Sequence, residues 1–259
     1  MRWTFRIFTR ARGCAPVRAM VDERAKAPEP WTVVGEPAIE ELSDTLWLVR
    51  GDVPRLPLGR TMVVARMEDG RLLVHNAIAL PPADQKRLDR FGELGYIVVP
   101  SAFHRIDARR YAERYPDAEI VCPAGAKAKV EERVPVDLTY DQFEGDSIVS
   151  LRHAAGVGDK EGVLTVNDHG GKTLVFNDLL FNLDHLPGFF GLLSRVIGST
   201  GGPRVTWLFR RTSLQDKEAL RVFLQRLSAT EGLVRVVPGH GKVITQAPAQ
   251  TLAAVAERL

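Results

Sequence analysis

Cysteine is nearly absent from this chain. Cys14 and Cys122 are the only 2 in 259 residues; they stand far apart, and neither belongs to a CxxC pair or a Cys/His spacing. That excludes a disulfide framework and a cysteine-based structural zinc site, and it fits a reducing, cytoplasmic setting. Long apolar runs are missing too. None approaches the roughly 18 residues that a membrane-spanning helix requires, so no membrane span is expected. Neither charge dominates: 35 Lys and Arg face 32 Asp and Glu, a net +3 spread along the chain, which gives no sign of a nucleic-acid partner.

What is present is an ordinary globular composition, 45% hydrophobic and 26% charged, long enough to bury one substantial core. The N-terminus differs from the rest. Arg2, Arg6, Arg10, Arg12 and Arg18 occur there with no acidic residue, no serine and no apolar stretch of the kind a signal peptide needs. Residues 1–30 therefore read as a disordered extension or one lying ahead of a start at Met20, with a surface-binding arm as the alternative. Residues 31–259 read as a single domain.

Short β-branched runs between turn residues dominate the first half. Leu46 to Arg50 and Arg60 to Arg66 read as strands, and Glu68-Asp69-Gly70 as a hairpin turn into Arg71 to Val74, because Asp-Gly readily takes the positive φ of a tight turn. Pro82 to Leu94 has helical spacing at Leu88, Phe91 and Leu94, and Tyr96 to Val99 is an apolar strand. Asp107 is placed to cap a helix through Tyr115, ahead of the strand Ala118 to Cys122. The second half repeats the order. Strands at Ser147 to Arg152, Gly162 to Val166 and Thr173 to Phe176 surround the turn Asp168-His169-Gly170-Gly171, and Ser213 to Asp216 caps a helix carrying Leu220, Phe223 and Leu227. A strand at Leu233 to Val237 and a helix at Thr251 to Leu259 close the chain. Two similar halves imply an α/β fold, an αββα sandwich of two mixed β-sheets with helices on the outside.

Three strand ends deliver chemically useful side chains into loops, where α/β proteins build their sites. Val98 to His104 stops at Pro100 and leaves His104 before a helix; Leu174 to Asp178 ends on a carboxylate; Val236 to Gly241 sets His240 between two glycines. Two imidazoles and a carboxylate are a ligand set for zinc or iron that leaves open positions. Singly, each is more often a hydrogen-bonded structural residue than a ligand.

The order and spacing of these segments resemble the metallo-β-lactamase superfamily over residues 40–245, with Pro238-Gly239-His240-Gly241 as the most specific match. In that family a strand ends in H-x-H-x-D-H, and the stretch from Val99 to Pro116 has this layout with His104 on the last histidine. The resemblance further places Gly162 on the glycine of a G-H-T-x-G segment, Asp178 on the metal-bridging aspartate and His240 on the final histidine. It also shows departures. Val99 and Ser101 replace the first two histidines, Phe103 replaces the aspartate, and Asp159 stands at the histidine of the second-half turn. What the resemblance implies is a lost three-histidine site and a companion site reduced to His104, Asp178 and His240. The run Asp178-Leu179-Leu180-Phe181-Asn182 is similar to a poorly characterised branch of the superfamily for which no reaction is implied.

Two functions stay open: a metal-dependent hydrolase with an at most mononuclear centre, holding one Zn or Fe ion with Asp159 or His153 as base, or a metal-free, non-catalytic binding or scaffold protein on the same fold. The corresponding partners are a small-molecule substrate of unknown identity or a protein. His153 is otherwise a structural residue; His75 with Asn76 supports the site loops; His185, near Asp184, is a substitute ligand; His169 is a solvated turn residue. Phe189 to Leu193 with Val196 and Ile197 reads as a core helix, a lid or a homodimer contact.

Overall fold

The computed structural model describes residues 27–185, 187–196 and 198–259. Most of the inferred extension, residues 1–26, lies outside the described residues, as do Leu186, Ile197 and the side chains of Phe189, Phe190 and Leu193. Residues 27–30, assigned above to the extension, sit against the helix that starts at Ala108: Arg109 donates to the carbonyl of Ala27 at 2.9 Å and Arg110 to that of Pro30 at 2.7 Å.

In chain order, β1 (Ala38–Glu41), β2 (Leu46–Asp52), β3 (Gly59–Arg66) and β4 (Leu72–His75) form an antiparallel meander. Then α1 (Pro82–Phe91), β5 (Leu94–Val98), α2 (Ala108–Arg114), β6 (Glu119–Cys122), α3 (Lys127–Val130) and β7 (Leu138–Thr139) add parallel strands, giving a 7-stranded sheet. The second half contributes β8 (Val149–His153), β9 (Gly162–Asp168), β10 (Gly171–Val175), β11 (Phe181–Leu183), α4 (Gly188–Val196), β12 (Gly202–Arg204) and α5 (Trp207–Thr212). The chain ends with α6 (Lys217–Ser228), β13 (Leu233–Val237), β14 (His240–Gly241) and α7 (Pro248–Glu257). A 4-stranded sheet is ordered β13-β10-β9-β8, and a small 3-stranded one β12-β11-β14. Sequence periodicity gives no hint of this third sheet, whose strands are too short to show any.

Period-2 alternation explains the layering. On β2, Trp47 and Val49 enter the core under α1 and α2, while Leu46 and Leu48 enter the core between the sheets. Met62 and Val64 against Val63 and Ala65 do the same on β3. From the other side Val149, Leu164, Val166, Val175 and Val237 fill the inter-sheet layer, and Val163, Leu174 and Val236 pack toward α6 and α7. The two hairpins therefore lie in different, facing sheets, as the αββα architecture requires. Among the described residues no helix is long and apolar enough to cross a membrane.

Asp107 corrects one expectation. It sits at the N-cap position of α2, but its side chain makes no capping hydrogen bond. It is committed instead to Arg60 of β3, with the two side chains 1% and 2% exposed, and to Arg110. Arg60 also donates to the carbonyls of Ala77 at 2.9 Å and Asp52 at 3.2 Å, and Asp107 accepts from the amide of Ala79 at 3.3 Å. Truncating one member of a buried pair leaves a naked charge. Asp107→Asn should therefore lower the urea unfolding free energy by about 3–5 kcal/mol. Glu40→Gln, which breaks the half-exposed Arg50–Glu40 pair, should cost less than about 1 kcal/mol; equal losses would show that burial of the first pair is not what matters.

Candidate metal centre

Parallel pairing brings two of the three candidate ligands together. Val175 of β10 lies opposite Val237 of β13, so Asp178 and His240, equally far beyond these residues, leave adjacent strands side by side. Close backbone approach at this turn explains its glycines: a Cβ on Gly239 would lie 2.6 Å from the carbonyl oxygen of Asn177, and one on Gly241, whose φ is +98°, would lie 2.0 Å from that of Asn182. His104 arrives from the other sheet, in the loop between β5 and α2.

The three converge. His104 Nε2 is 2.9 Å and His240 Nε2 3.4 Å from the same oxygen, Oδ1 of Asp178. One ligand atom from each of the three residues lies within 4.8 Å of the others. The far sides of both rings are tied down. His240 Nδ1 is 2.7 Å from the carbonyl of Gly59, which can only accept, so Nδ1 carries the proton. His104 Nδ1 is 3.1 Å from Oδ1 of Asn76, and the amide nitrogen of Asn76 donates to the carbonyl of Thr61 at 2.8 Å, which fixes the amide with its oxygen toward the histidine. Both rings thus turn Nε2 toward the same carboxylate oxygen. Three electron-rich atoms facing one another are at rest only with extra protons or a cation among them, and an outward Nδ1–H bond to an acceptor is the usual support of a metal-binding histidine. The donor set therefore fits a single divalent ion.

Electrostatics agree with the geometry. Burial pushes the Asp178 carboxyl up, but the charges of His104 and His240 and their hydrogen bonds outweigh it, and its pKa falls well below the usual carboxylate range. Ser101 Oγ donates to the second oxygen, Oδ2, at 3.3 Å and accepts from the amide of Phe103 at 3.2 Å. Ser101 therefore orients the carboxylate and turns Phe103 outward, where it is 70% exposed.

One residue escaped the sequence reading. Glu161 is 1% exposed and accepts from the amides of Asn177 at 3.1 Å and Leu179 at 2.8 Å, clasping the loop that carries Asp178. Burial first and the Asp178 charge second push its pKa well above the usual range. In the polar run Gly158-Asp159-Lys160-Glu161 it looks like a solvated turn residue, so no local signal marked it.

The remaining candidates stand elsewhere. His153 Nε2 is taken up by Asp141 at 3.0 Å, and its Nδ1 is 4.0 Å from Asp159, whose side chain is 62% exposed. This pair does not join the His104, Asp178 and His240 group. His185 bonds Thr200 at 3.1 Å, Asp184 pairs with Lys242, and His169 is exposed in its turn. Val99 is in the core under the helices, facing away from the site.

No family model and no curated protein sequence matches the chain. Solved structures do. DIM-1 metallo-beta-lactamase is similar with a TM-score of 0.60 at 15% identity, over 87% of this chain and 99% of that one. The metallo-beta-lactamase FIM-1 from Pseudomonas aeruginosa, in a mono-zinc form, gives 0.57 at 11% identity over 88% and 98%. A metallo-beta-lactamase from Pontibacter korlensis gives 0.57 at 10% identity over 86% and 100%. The fold is that of the metallo-beta-lactamases.

His75 ends β4 beneath the site, 1% exposed, with no hydrogen-bond partner on either ring nitrogen. Burial, with a smaller contribution from His104, pushes its pKa down to about 3. A histidine that stays neutral in the fold while the unfolded chain protonates near 6.5 stabilises the fold above that pH, and the stability is lost as pH falls toward 3. Between pH 7 and pH 5 the wild type should lose about 2 kcal/mol more unfolding free energy than His75→Leu. Equal losses in urea titrations at the two pH values would mean that His75 is protonated or hydrated in the folded state.

Proposed function

We propose that the protein is a metal-dependent hydrolase of the metallo-β-lactamase type with a single-ion centre held by His104, Asp178 and His240. The observation that carries this reading is the convergence of His104 Nε2, His240 Nε2 and Asp178 Oδ1, with each ring's Nδ1 held by an acceptor behind it. A divalent ion so held would act as a Lewis acid toward the substrate and toward a water molecule.

The chain's own groups have separate tasks. Asn76 and Gly59 hold the two rings in one tautomer and one orientation. Ser101 keeps Asp178 turned toward them, and Glu161 holds the backbone on either side of Asp178. A cavity of about 420 Å³, lined by Ser101, Asp178 and Phe181 among others, adjoins the centre and gives a substrate access. His153 and Asp159 receive no catalytic step, because their partners are Asp141 and each other.

The competing reading, a non-catalytic binding protein, is favoured by the apolar Phe103 exposed beside the site where the family pattern has an aspartate. Metal content separates the two. Wild-type protein dialysed against Zn²⁺, Fe²⁺ or Mn²⁺ should retain one of them in equimolar amount by elemental analysis. His240→Ala should lose it, with the affinity falling by roughly 100-fold or more, as expected when a first-row metal centre loses one of three protein ligands. Wild type that binds none of the three ions above background would remove the hydrolase and leave the binding protein.

A further inference from the structure

Helical spacing turns α5 toward two different cavities. Leu208 and Thr212, four residues apart, line the one beside His104, Asp178 and His240, whereas Trp207 and Arg210, three apart, line a separate cavity of about 310 Å³. The buried Val205 and Val255 form the floor of this second cavity. Three arginines from three elements surround it: Arg204 of β12, Arg210 of α5 and Arg258, just past the end of α7.

Backbone carbonyls hold each guanidinium in place. Arg204 Nη2 donates to the carbonyl of Gly201 at 2.8 Å, Arg210 Nη2 to that of Arg258 at 2.9 Å, and Arg258 to those of Ala254 at 2.9 Å and Pro203 at 3.4 Å. A Cβ on Gly201, whose φ is +98°, would lie 3.0 Å from Arg204 Nη2, so the glycine makes room for that guanidinium. Nothing of opposite charge joins them. Among the described residues no carboxylate forms an ion pair with any of the three, not even Glu257, which directly precedes Arg258. Arginines elsewhere on this chain do find carboxylates: Arg50 pairs with Glu40, Arg87 with Glu41 and Arg109 with Glu113.

The cluster is also partly withdrawn from water. The Nε atoms of Arg204 and Arg210 are buried without an acceptor, and burial, followed by the charge of Arg204, pulls the pKa of Arg210 down. Carbonyls take one or two of the five donors on each guanidinium and leave its full charge uncompensated. Three guanidinium forks around one space are complementary to a dianion with several oxygens. Trp207, 55% exposed at the rim, offers an aromatic face to an apolar group attached to that anion.

We infer that this cavity binds an organic phosphomonoester, with the phosphate among Arg204, Arg210 and Arg258 and the organic body against Trp207. The site shares no residue with His104, Asp178 and His240, and the inference does not depend on the hydrolase reading.

Calorimetric titration of the full chain with phenyl phosphate at about pH 8, where a phosphomonoester is a dianion, tests this. Binding should saturate in the wild type and equally in His240→Ala, which separates it from any binding at the metal centre. Arg210→Met should weaken it roughly tenfold or more, the loss expected when a charge-assisted contact to an ion is removed. Arg258→Met, altered at an exposed position, should show the same direction without disturbing buried atoms. Arg211→Met, also on α5, should leave the affinity unchanged. Trp207→Ala should reduce phenyl phosphate to the affinity of inorganic phosphate. Absence of saturable binding, benzoate bound as tightly as phenyl phosphate, undiminished affinity in both Arg210→Met and Arg258→Met, or an unchanged preference for phenyl phosphate in Trp207→Ala would each overturn the inference.

Discussion

Taking a guanidinium and a carboxylate out of water costs several kcal/mol per ion before any attraction is gained, yet Arg60 and Asp107 meet with almost no exposed surface. The backbone groups that the pair satisfies offset part of that cost, and their positions explain why the pair matters. Gly59, the acceptor for His240, directly precedes Arg60. Asn76, the acceptor for His104, directly precedes Ala77, whose carbonyl Arg60 binds. Asp107 belongs to the same loop as His104 and also holds the amide of Ala79. One ion pair thus fixes a strand and two loops, and through them the orientation of both imidazoles. Side-chain carboxylates and carbonyls could hold each loop singly, but only a shared anchor keeps the two ring acceptors in register.

The parts of this arrangement that the sequence reveals are the local ones. Asp69-Gly70 and Gly170-Gly171 announce hairpins because a positive φ, here at Gly70 and Gly171, is a property of a few adjacent residues. The alternation in β2 and β3 reports two buried faces. Pro238-Gly239-His240-Gly241 can be read because its glycines answer to backbone contacts made within one turn. Asp107 was misread for the opposite reason. Aspartate before a helix is ordinarily a cap, and its partner, Arg60, is remote in sequence and sits in a strand pattern that gives no sign of a buried charge. Glu161 is hidden in the same way, since its partners are backbone amides on another strand end. Pairings of two or three residues, such as β11 with β14, carry no periodicity at all.

Glu161 and Asp178 also show how the site divides its charge. Two neighbouring carboxyls in a buried place cannot both ionise without penalty, so their environments pull their pKa values apart. Glu161, enclosed and next to a negative neighbour, is driven toward its neutral form, while Asp178, facing two imidazoles, keeps its charge. The negative charge is therefore confined to the side of the loop where His104 and His240 lie. A cation entering there meets one full charge and two imidazole nitrogens, and the backbone clasp on the other side adds rigidity without competing for it.

The positions at which the family resemblance marks departures are each committed elsewhere in the structure. Val99 pairs through its amide with Val121 and sends its side chain into the core under α1 and α2. Ser101 is committed to Asp178 and to the turn, and Phe103 projects into the open mouth of the cavity. A histidine at position 99 would enter that apolar core, where an imidazole finds neither a metal nor water. On the proposed single-ion reading, a second ion would require rebuilding the backbone from Val99 to Phe103, and the same backbone carries His104. The loop that presents His104 to Asp178 is the loop that turns the other side chains away.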